Sequence, residues 1–241
     1  MELTIIGAPR SGTTLFAAMI ASHPEVSILN EDKTGAWRQA LGGKHLGVKL
    51  CVPNQTERSA AEAEAARARL QALAAREAPR FSAWDRGRSE AWQEPLAAEL
   101  LNDFLAREET RVLATLRAPE RVVDSIQQRG GQPLAEALLR WLRALEIMGS
   151  LAETAPERFA LVGFEQLVSD PERVLRACCA WLGLGFHAAM LTGETPFYHL
   201  QEIDPAKAGE ADTAFQAQMA ESFPEHWKTY ESLRAGGLGR V

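Results

Sequence analysis

One short stretch constrains this chain more than any other: Gly7-Ala8-Pro9-Arg10-Ser11-Gly12-Thr13-Thr14, set between an apolar run and a helical pattern. Leu3 to Gly7 reads as a buried strand, and Gly12 to Ser22 as the helix that follows. Two glycines five positions apart let the backbone curl so that successive N–H groups point inward at an anion. The helix start adds partial positive charge, and the hydroxyls of Ser11, Thr13 and Thr14 add donors. Strand, glycine-bearing loop and helix in this order make a phosphate loop; the plainer alternative is a strand–turn–helix with capping hydroxyls. A loop built for magnesium and a nucleoside triphosphate carries Lys, then Ser or Thr, after its second Gly. Here Thr13 and Thr14 follow Gly12, and the cation, Arg10, sits inside the loop. The run Arg111 to Leu116 ends in Arg117 rather than in an Asp, so the usual carboxylate for the metal is missing as well. These residues suit an anion held without magnesium.

Beyond the loop, short apolar runs alternate with longer helical patterns, which favours an α/β fold with a parallel sheet. Further strands are expected at Val26 to Leu29, Leu46 to Cys51, Arg111 to Leu116 and Phe159 to Phe164. Helices are expected at Glu57 to Arg76, Pro95 to Arg107, Pro119 to Arg129, Pro133 to Ala152 and Pro171 to Leu182, with Asp170 as an N-cap. Ser59 to Ala78, rich in Ala, Arg and Glu, reads as a surface helix or a lid. From Gly193 onward the aromatics scatter without a clear period, so this tail is expected to wrap over the core. No repeat and no linker divides the 241 residues, and a single domain over 1–241 follows.

Composition removes several function classes. With 26 Lys and Arg against 32 Asp and Glu, the net charge of −6 argues against a dedicated nucleic-acid binder. No apolar run approaches the roughly 20 residues that span a bilayer, and the first residues lack the basic start of a signal peptide. Cys51, Cys178 and Cys179 are too few and badly spaced for a disulfide framework or a zinc site. The expectation is a soluble, reduced, cytoplasmic protein with no nucleic-acid or membrane partner, either a monomer or a homodimer.

A second anion signal lies in Leu116-Arg117-Ala118-Pro119 and continues to Ser125. Arg117 falls at the carboxyl end of a strand, where open α/β sheets bind ligands. Ser125 sits eight residues on, in the second turn of the helix that Pro119 opens, and Ser inside a helix calls for a partner. An Arg fork with a hydroxyl suits a dianionic phosphate, the alternative being a solvated Arg and a small helical Ser. A third stretch, Phe164-Glu165-Gln166-Leu167-Val168-Ser169-Asp170-Pro171, reads as a strand exit and a capped helix.

At these residues the chain resembles the sulfotransferases that use 3′-phosphoadenosine 5′-phosphosulfate, whose phosphosulfate loop commonly runs Pro-Arg/Lys-Ser-Gly-Thr-Thr and is matched by Pro9 to Thr14. Ser22-His23-Pro24-Glu25-Val26 is similar to bacterial and tyrosylprotein-type members, and the third stretch matches an aromatic-Glu-x-Leu-x-x-Asp-Pro segment. The resemblance implies an α/β, three-layer fold like that of the P-loop NTPases, with a central, mainly parallel sheet flanked by helices. It implies that Arg10 contacts the bridging and sulfuryl oxygens, while the amides and hydroxyls of Ser11, Gly12, Thr13 and Thr14 hold the 5′-phosphate. Arg117 and Ser125 match the family's 3′-phosphate pair. Arg234-Ala235-Gly236-Gly237-Leu238-Gly239 is similar to the family's Arg-x-Gly-x-x-Gly loop but lacks its Asp-Trp continuation.

Sulfuryl transfer to a hydroxyl needs a base, a cation for the bridging oxygen and an in-line approach. Glu31, just past the Val26 to Leu29 strand, is the candidate base, with Asp32 as fallback and a surface turn as the alternative for both. In tyrosylprotein-type enzymes a catalytic Glu stands at a matching distance past the loop Arg. A histidine base, as in the steroid and phenol enzymes, is left to His45 or His23. Lys49 is a charge inside an apolar strand, facing solvent or, as the resemblance implies, the departing phosphosulfate. Trp37, Trp84, Trp92, Phe197 and Tyr198 are aromatics available to an acceptor pocket. The reaction implied is transfer from 3′-phosphoadenosine 5′-phosphosulfate, leaving adenosine 3′,5′-bisphosphate and requiring no metal. The acceptor is the hydroxyl, or an amine, of a small molecule, carbohydrate or peptide. A nucleotide kinase on the same fold and a non-catalytic nucleotide-binding homologue are the rivals.

Overall fold

Five near-continuous apolar runs dictate strands buried on both faces, the pattern of a parallel sheet covered by helices on each side. The computed structural model, which describes residues 1–31, 41, 44–52, 106–107, 109–131, 133–193 and 205–238, shows that arrangement. Its strands are β1 (Glu2–Gly7), β2 (Val26–Asn30), β3 (His45–Lys49), β4 (Thr110–Leu116) and β5 (Phe159–Gly163). They lie in the order β2-β3-β1-β4-β5, and every pairing is parallel. The described helices are α1 (Thr13–Ala21), α2 (Pro119–Gly130), α3 (Leu134–Thr154), α4 (Phe164–Ser169), α5 (Pro171–Leu182), α6 (Thr213–Ser222) and α7 (Pro224–Gly236). None of them is long and apolar enough to cross a membrane.

Alternation along the strands splits the core into two layers. Leu3, Ile5, Ile28 and Val162 pack into one cluster with α1, α4 and α5. Ile6, Val112, Ala114 and Leu161 pack into the other with α2, α3, α6 and α7. Helix α1 is buried from Leu15 to Ala21, as expected for a helix pinned between a sheet and further chain. Helix α5 starts as the sequence implies, with Pro171 in its first turn and the Asp170 carboxylate accepting the Arg173 N–H at 3.3 Å.

The tail departs from the sequence reading. It covers the core as expected, but through two regular helices: Phe215, Met219, Phe223, Trp227, Tyr230 and Leu233 recur every three or four residues and bring α6 against α2, and α7 against α3 and β5. Pro224 interrupts that stripe and hid its period, because a Pro in the first turn of a helix also reads as a break. Past α7, the Leu238 N–H donates to the Leu161 carbonyl at 2.7 Å and lies along edge strand β5. Phe164 opens α4 instead of closing β5. The expected helices at 57–76 and 95–107 fall, but for the last two residues of the second, outside the described residues, as does the whole of the suggested lid at 59–78.

Candidate functional site

All five strands point their carboxyl ends the same way, so the segments leaving them share one edge of the sheet. Register fixes their spacing: Gly7 lies beside Thr115, Asn30 beside Lys49, and Leu116 beside Gly163.

The loop after β1 is tightly wound. A Cβ on Gly7 would stand 2.4 Å from the Thr115 hydroxyl and 2.5 Å from that of Ser11, so only glycine fits. Arg10 has φ 72° and Gly12 φ 86°, the left-handed turn that aims the chain into α1. Ser11 is turned inward: its N–H and its hydroxyl both donate to the Ala8 carbonyl, at 3.0 and 2.7 Å, and the hydroxyl also meets the Thr115 hydroxyl at 3.0 Å. Ser11 therefore ties the loop to the neighbouring strand β4 through its side chain. No described side chain caps α1, so the first-turn N–H groups and the helix's positive end face outward beside Thr13 and Thr14.

Arg10 and Arg117 are closer than separate anion sites require. The Arg10 Nε donates to the Ser125 hydroxyl at 3.0 Å, and the Arg117 Nη1 donates to the Arg10 carbonyl at 3.1 Å. The two expected sites thus form one continuous rim. Behind it, the Arg117 guanidinium stacks 4.4 Å from the centre of the Phe164 ring, and the Trp141 indole N–H donates to the Arg117 carbonyl at 3.2 Å. The Glu165 carboxylate accepts the Ala118 N–H at 3.1 Å and fixes the corner at which α2 begins. Burial lowers the pKa of both arginines from the ordinary guanidinium value, aided at Arg10 by the nearby charge of Arg129.

Glu31 and Lys49 form the other wall. Lys49 does not face solvent: its side chain is 2% exposed, and its Nζ lies 2.7 Å from Oε1 of Glu31. Glu31 holds φ 59° while its N–H donates to the Lys49 carbonyl at 2.7 Å. Arg10 and Glu31 are the described non-glycine residues with positive φ, and strain of this kind concentrates where geometry serves function. Cys51 sits between the walls, its Sγ 3.5 Å from Lys49 Nζ, 3.8 Å from Glu31 Oε1 and 4.0 Å from the Thr13 hydroxyl. Burial raises the pKa of this thiol above the ordinary cysteine value, and the Lys49 charge offsets part of the effect.

Together these groups enclose a cleft of about 560 Å³, lined by Pro9, Arg10, Thr14, Glu31, Lys49 and Arg117 among others. Four further lining residues escaped the sequence reading: Leu15, Cys51, Phe164 and Arg129. Arg129 was findable, since it stands one helical turn beyond Ser125. The sequence pattern offers Cys51 only as a disulfide or metal residue, and Phe164 only as part of a strand exit. Both histidine alternatives fall at the opposite edge of the sheet. His45 begins β3 beside Val26, and His23 precedes β2, its Nδ1 accepting the Glu25 N–H at 3.1 Å and its Nε2 lying 2.8 Å from the Gly185 carbonyl. Asp32 and the aromatics Trp37, Trp84, Trp92, Phe197 and Tyr198 lie outside the described residues. Arg234 sits in the last turn of α7.

Comparison with known proteins gives a consistent picture. The profile of the sulfotransferase family matches residues 3–188. Among solved structures, the sulfotransferase domain of the Synechococcus PCC 7002 olefin synthase is similar at 23% identity with a TM-score of 0.52, covering 93% of this chain and 94% of that one. The sulfotransferase domain from the curacin biosynthetic pathway is similar at 16% identity and a TM-score of 0.53, over 92% of this chain and 96% of its own. Mouse sulfotransferase SULT7A1, solved with PAP, is similar at 9% identity and a TM-score of 0.53, over 98% and 88%. At these identities the likeness is one of fold. No curated protein sequence matches the chain.

Proposed function

The chain belongs to the sulfotransferase family, and from that premise we propose that it moves a sulfuryl group from 3′-phosphoadenosine 5′-phosphosulfate to an acceptor hydroxyl. The observation that carries the reading is the convergence on one cleft of the loop cation Arg10, which Ser125 holds, of Arg117, and of the pair formed by buried Lys49 and half-exposed Glu31. The donor's 5′-phosphosulfate is assigned to the Pro9 to Thr14 loop, where the backbone and the helix start supply positive potential. Its 3′-phosphate is assigned to Arg117 and Ser125, with Arg129 within reach. The mouse sulfotransferase of the same fold was solved with PAP, which supports this choice of nucleotide.

In the reaction, Glu31 takes the proton of the acceptor hydroxyl, whose oxygen forms the new bond to sulfur in line with the leaving group. The bond between sulfur and the bridging oxygen breaks, and its electron pair stays on that oxygen, beside Arg10 and Lys49. Adenosine 3′,5′-bisphosphate leaves. The acceptor is the hydroxyl of a small molecule, a carbohydrate or a peptide.

Calorimetric titration with adenosine 3′,5′-bisphosphate, against ADP plus magnesium, tests the reading on wild type and Arg117→Ala. The expected result is binding that prefers the bisphosphate without magnesium and weakens about 10- to 100-fold in the variant, the loss typical of charge-assisted hydrogen bonds. Preference for ADP with magnesium would move the protein to the kinase reading. Tight bisphosphate binding with no sulfuryl transfer across an acceptor panel would leave a binding protein.

A further inference from the structure

We infer that Lys49 has two successive partners, Glu31 before the donor binds and the donor's anion afterwards, and that this exchange turns Glu31 from a neutralised carboxylate into a base. The inference rests on the reading of the cleft as a phosphosulfate site. Lys49 is buried, with its Nζ 2.7 Å from Glu31 Oε1, and it makes no other ion pair among the described residues. Its remaining polar contact is the Cys51 thiol at 3.5 Å, which burial keeps protonated. A buried ammonium needs a counter-charge, and in this structure Glu31 supplies it.

That service conflicts with base catalysis. A carboxylate held against an ammonium favours its ionised form and accepts a proton poorly. Among the described residues, Lys49 at the end of β3 and Cys51 just past it touch Glu31, and Arg10 from the loop, Arg117 after β4 and Arg129 on α2 line the same cleft. Four of these five are cations, so before a ligand arrives the cleft is rich in positive charge beside the Glu31 carboxylate. A bound phosphosulfate or bisphosphate places several negative charges among the same cations. Lys49, a compact charge on a flexible stem, then neutralises the ligand's oxygens instead. Glu31 loses its nearest cation and gains an anionic neighbour, and both changes raise its affinity for a proton. The proton that arrives in turnover is the one leaving the acceptor hydroxyl. The order of events follows: the donor enters first, and an acceptor that arrives without it meets a carboxylate unable to take its proton.

Proton counting tests this without an acceptor. The full chain is titrated calorimetrically with adenosine 3′,5′-bisphosphate near pH 6, in buffers of different ionisation enthalpy, for wild type, Glu31→Gln and Lys49→Met. Wild type is expected to take up about 0.3 proton or more per nucleotide beyond the count for Glu31→Gln, since a group whose affinity rises on binding must bind protons there. Lys49→Met has no ammonium to withdraw, and its count falls towards that of Glu31→Gln. Thermal unfolding of each variant reports whether it folds; if Lys49→Met does not, the comparison of wild type with Glu31→Gln decides alone. Equal counts in those two, with the bisphosphate bound, overturn the inference and leave the donor site standing. Failure of wild type to bind the bisphosphate overturns both.

Discussion

Strands β2 and β3 carry an ion pair at each end, and the two pairs look alike until burial is considered. At the amino end, Lys44 Nζ lies 2.6 Å from Glu25 Oε2 with 69% and 43% of the two side chains exposed. At the carboxyl end, Lys49 Nζ lies 2.7 Å from Glu31 Oε1 with 2% and 39% exposed. The first pair is solvated, and the Lys44 hydrogen bond and charge hold the Glu25 carboxyl below the ordinary range without committing it to anything else. The second ties a cation that has left water to a half-exposed carboxylate on a cleft wall. Equal distance, then, says little. What differs is the cost of leaving the partner alone.

Turnover separates the two ends most strongly. With an acceptor in hand, Glu31→Gln is expected to lower the rate of bisphosphate release about 10²- to 10⁴-fold, the range for loss of a general base. Glu25→Gln is expected to leave that rate unchanged. Equal rates for wild type and Glu31→Gln would return Glu31 to the status of Glu25.

Two left-handed glycines extend the comparison to the backbone. Gly12 opens α1 at the cleft, and Gly183 ends α5 at the far edge, with φ 86° and 74°. A Cβ on Gly12 would lie 2.2 Å from the Phe164 ring, whereas one on Gly183 meets nothing within 4 Å. Gly183→Ala should cost about 1 kcal/mol, the backbone penalty alone. Gly12→Ala should cost about 2–4 kcal/mol in thermal or denaturant unfolding, because it adds a clash with the aromatic ring behind Arg117. A similar loss in both would show that Phe164 gives way easily.

Cysteine chemistry gives a smaller contrast. Burial raises the pKa of Cys51 and Cys178 alike, so both are poor thiolates near neutrality, but Cys51 reaches the cleft and Cys178 is fully enclosed. Iodoacetamide at pH 8, followed by mass spectrometry, should modify Cys51 about ten-fold or more slowly than a free thiol. Cys178 should stay unmodified until unfolding, and bound bisphosphate should protect Cys51. Modification of Cys178 at the same rate would contradict the packing of α5.

The smallest effect concerns Glu165, where burial outweighs the Ala118 N–H and the Arg117 charge and raises the carboxyl pKa. The folded state then holds this proton more tightly than the unfolded chain, so stability falls as pH rises from the unfolded carboxyl value through the raised one. Glu165→Gln keeps an acceptor for the Ala118 N–H and removes the charge. Its melting temperature should match wild type at low pH and exceed it by a few degrees at pH 8; an unchanged difference across that span would show that burial does not govern this carboxyl.

The sequence by itself determined the parallel α/β architecture, because five apolar runs separated by helical patterns leave little else to build. It determined the winding of the first loop too, since Gly7 and Gly12 stand where no side chain fits. It placed Arg10, Glu31, Lys49 and Arg117 at or just past strand ends, and so on one edge of the sheet, once the strands were taken as parallel. Other features stayed out of reach. Ser11 carries a hydroxyl that a phosphate loop can use, and only the position of Thr115 on the neighbouring strand turns it inward. Lys49 could face either side of its strand until the order β2-β3-β1 set Glu31 beside it. Arg10 and Ser125, 115 residues apart, meet because α2 leaves β4 next to the loop after β1. Periodicity encodes which face of each element is apolar, a local property; strand order and register, settled only when the layers pack, decide which polar groups on that edge touch.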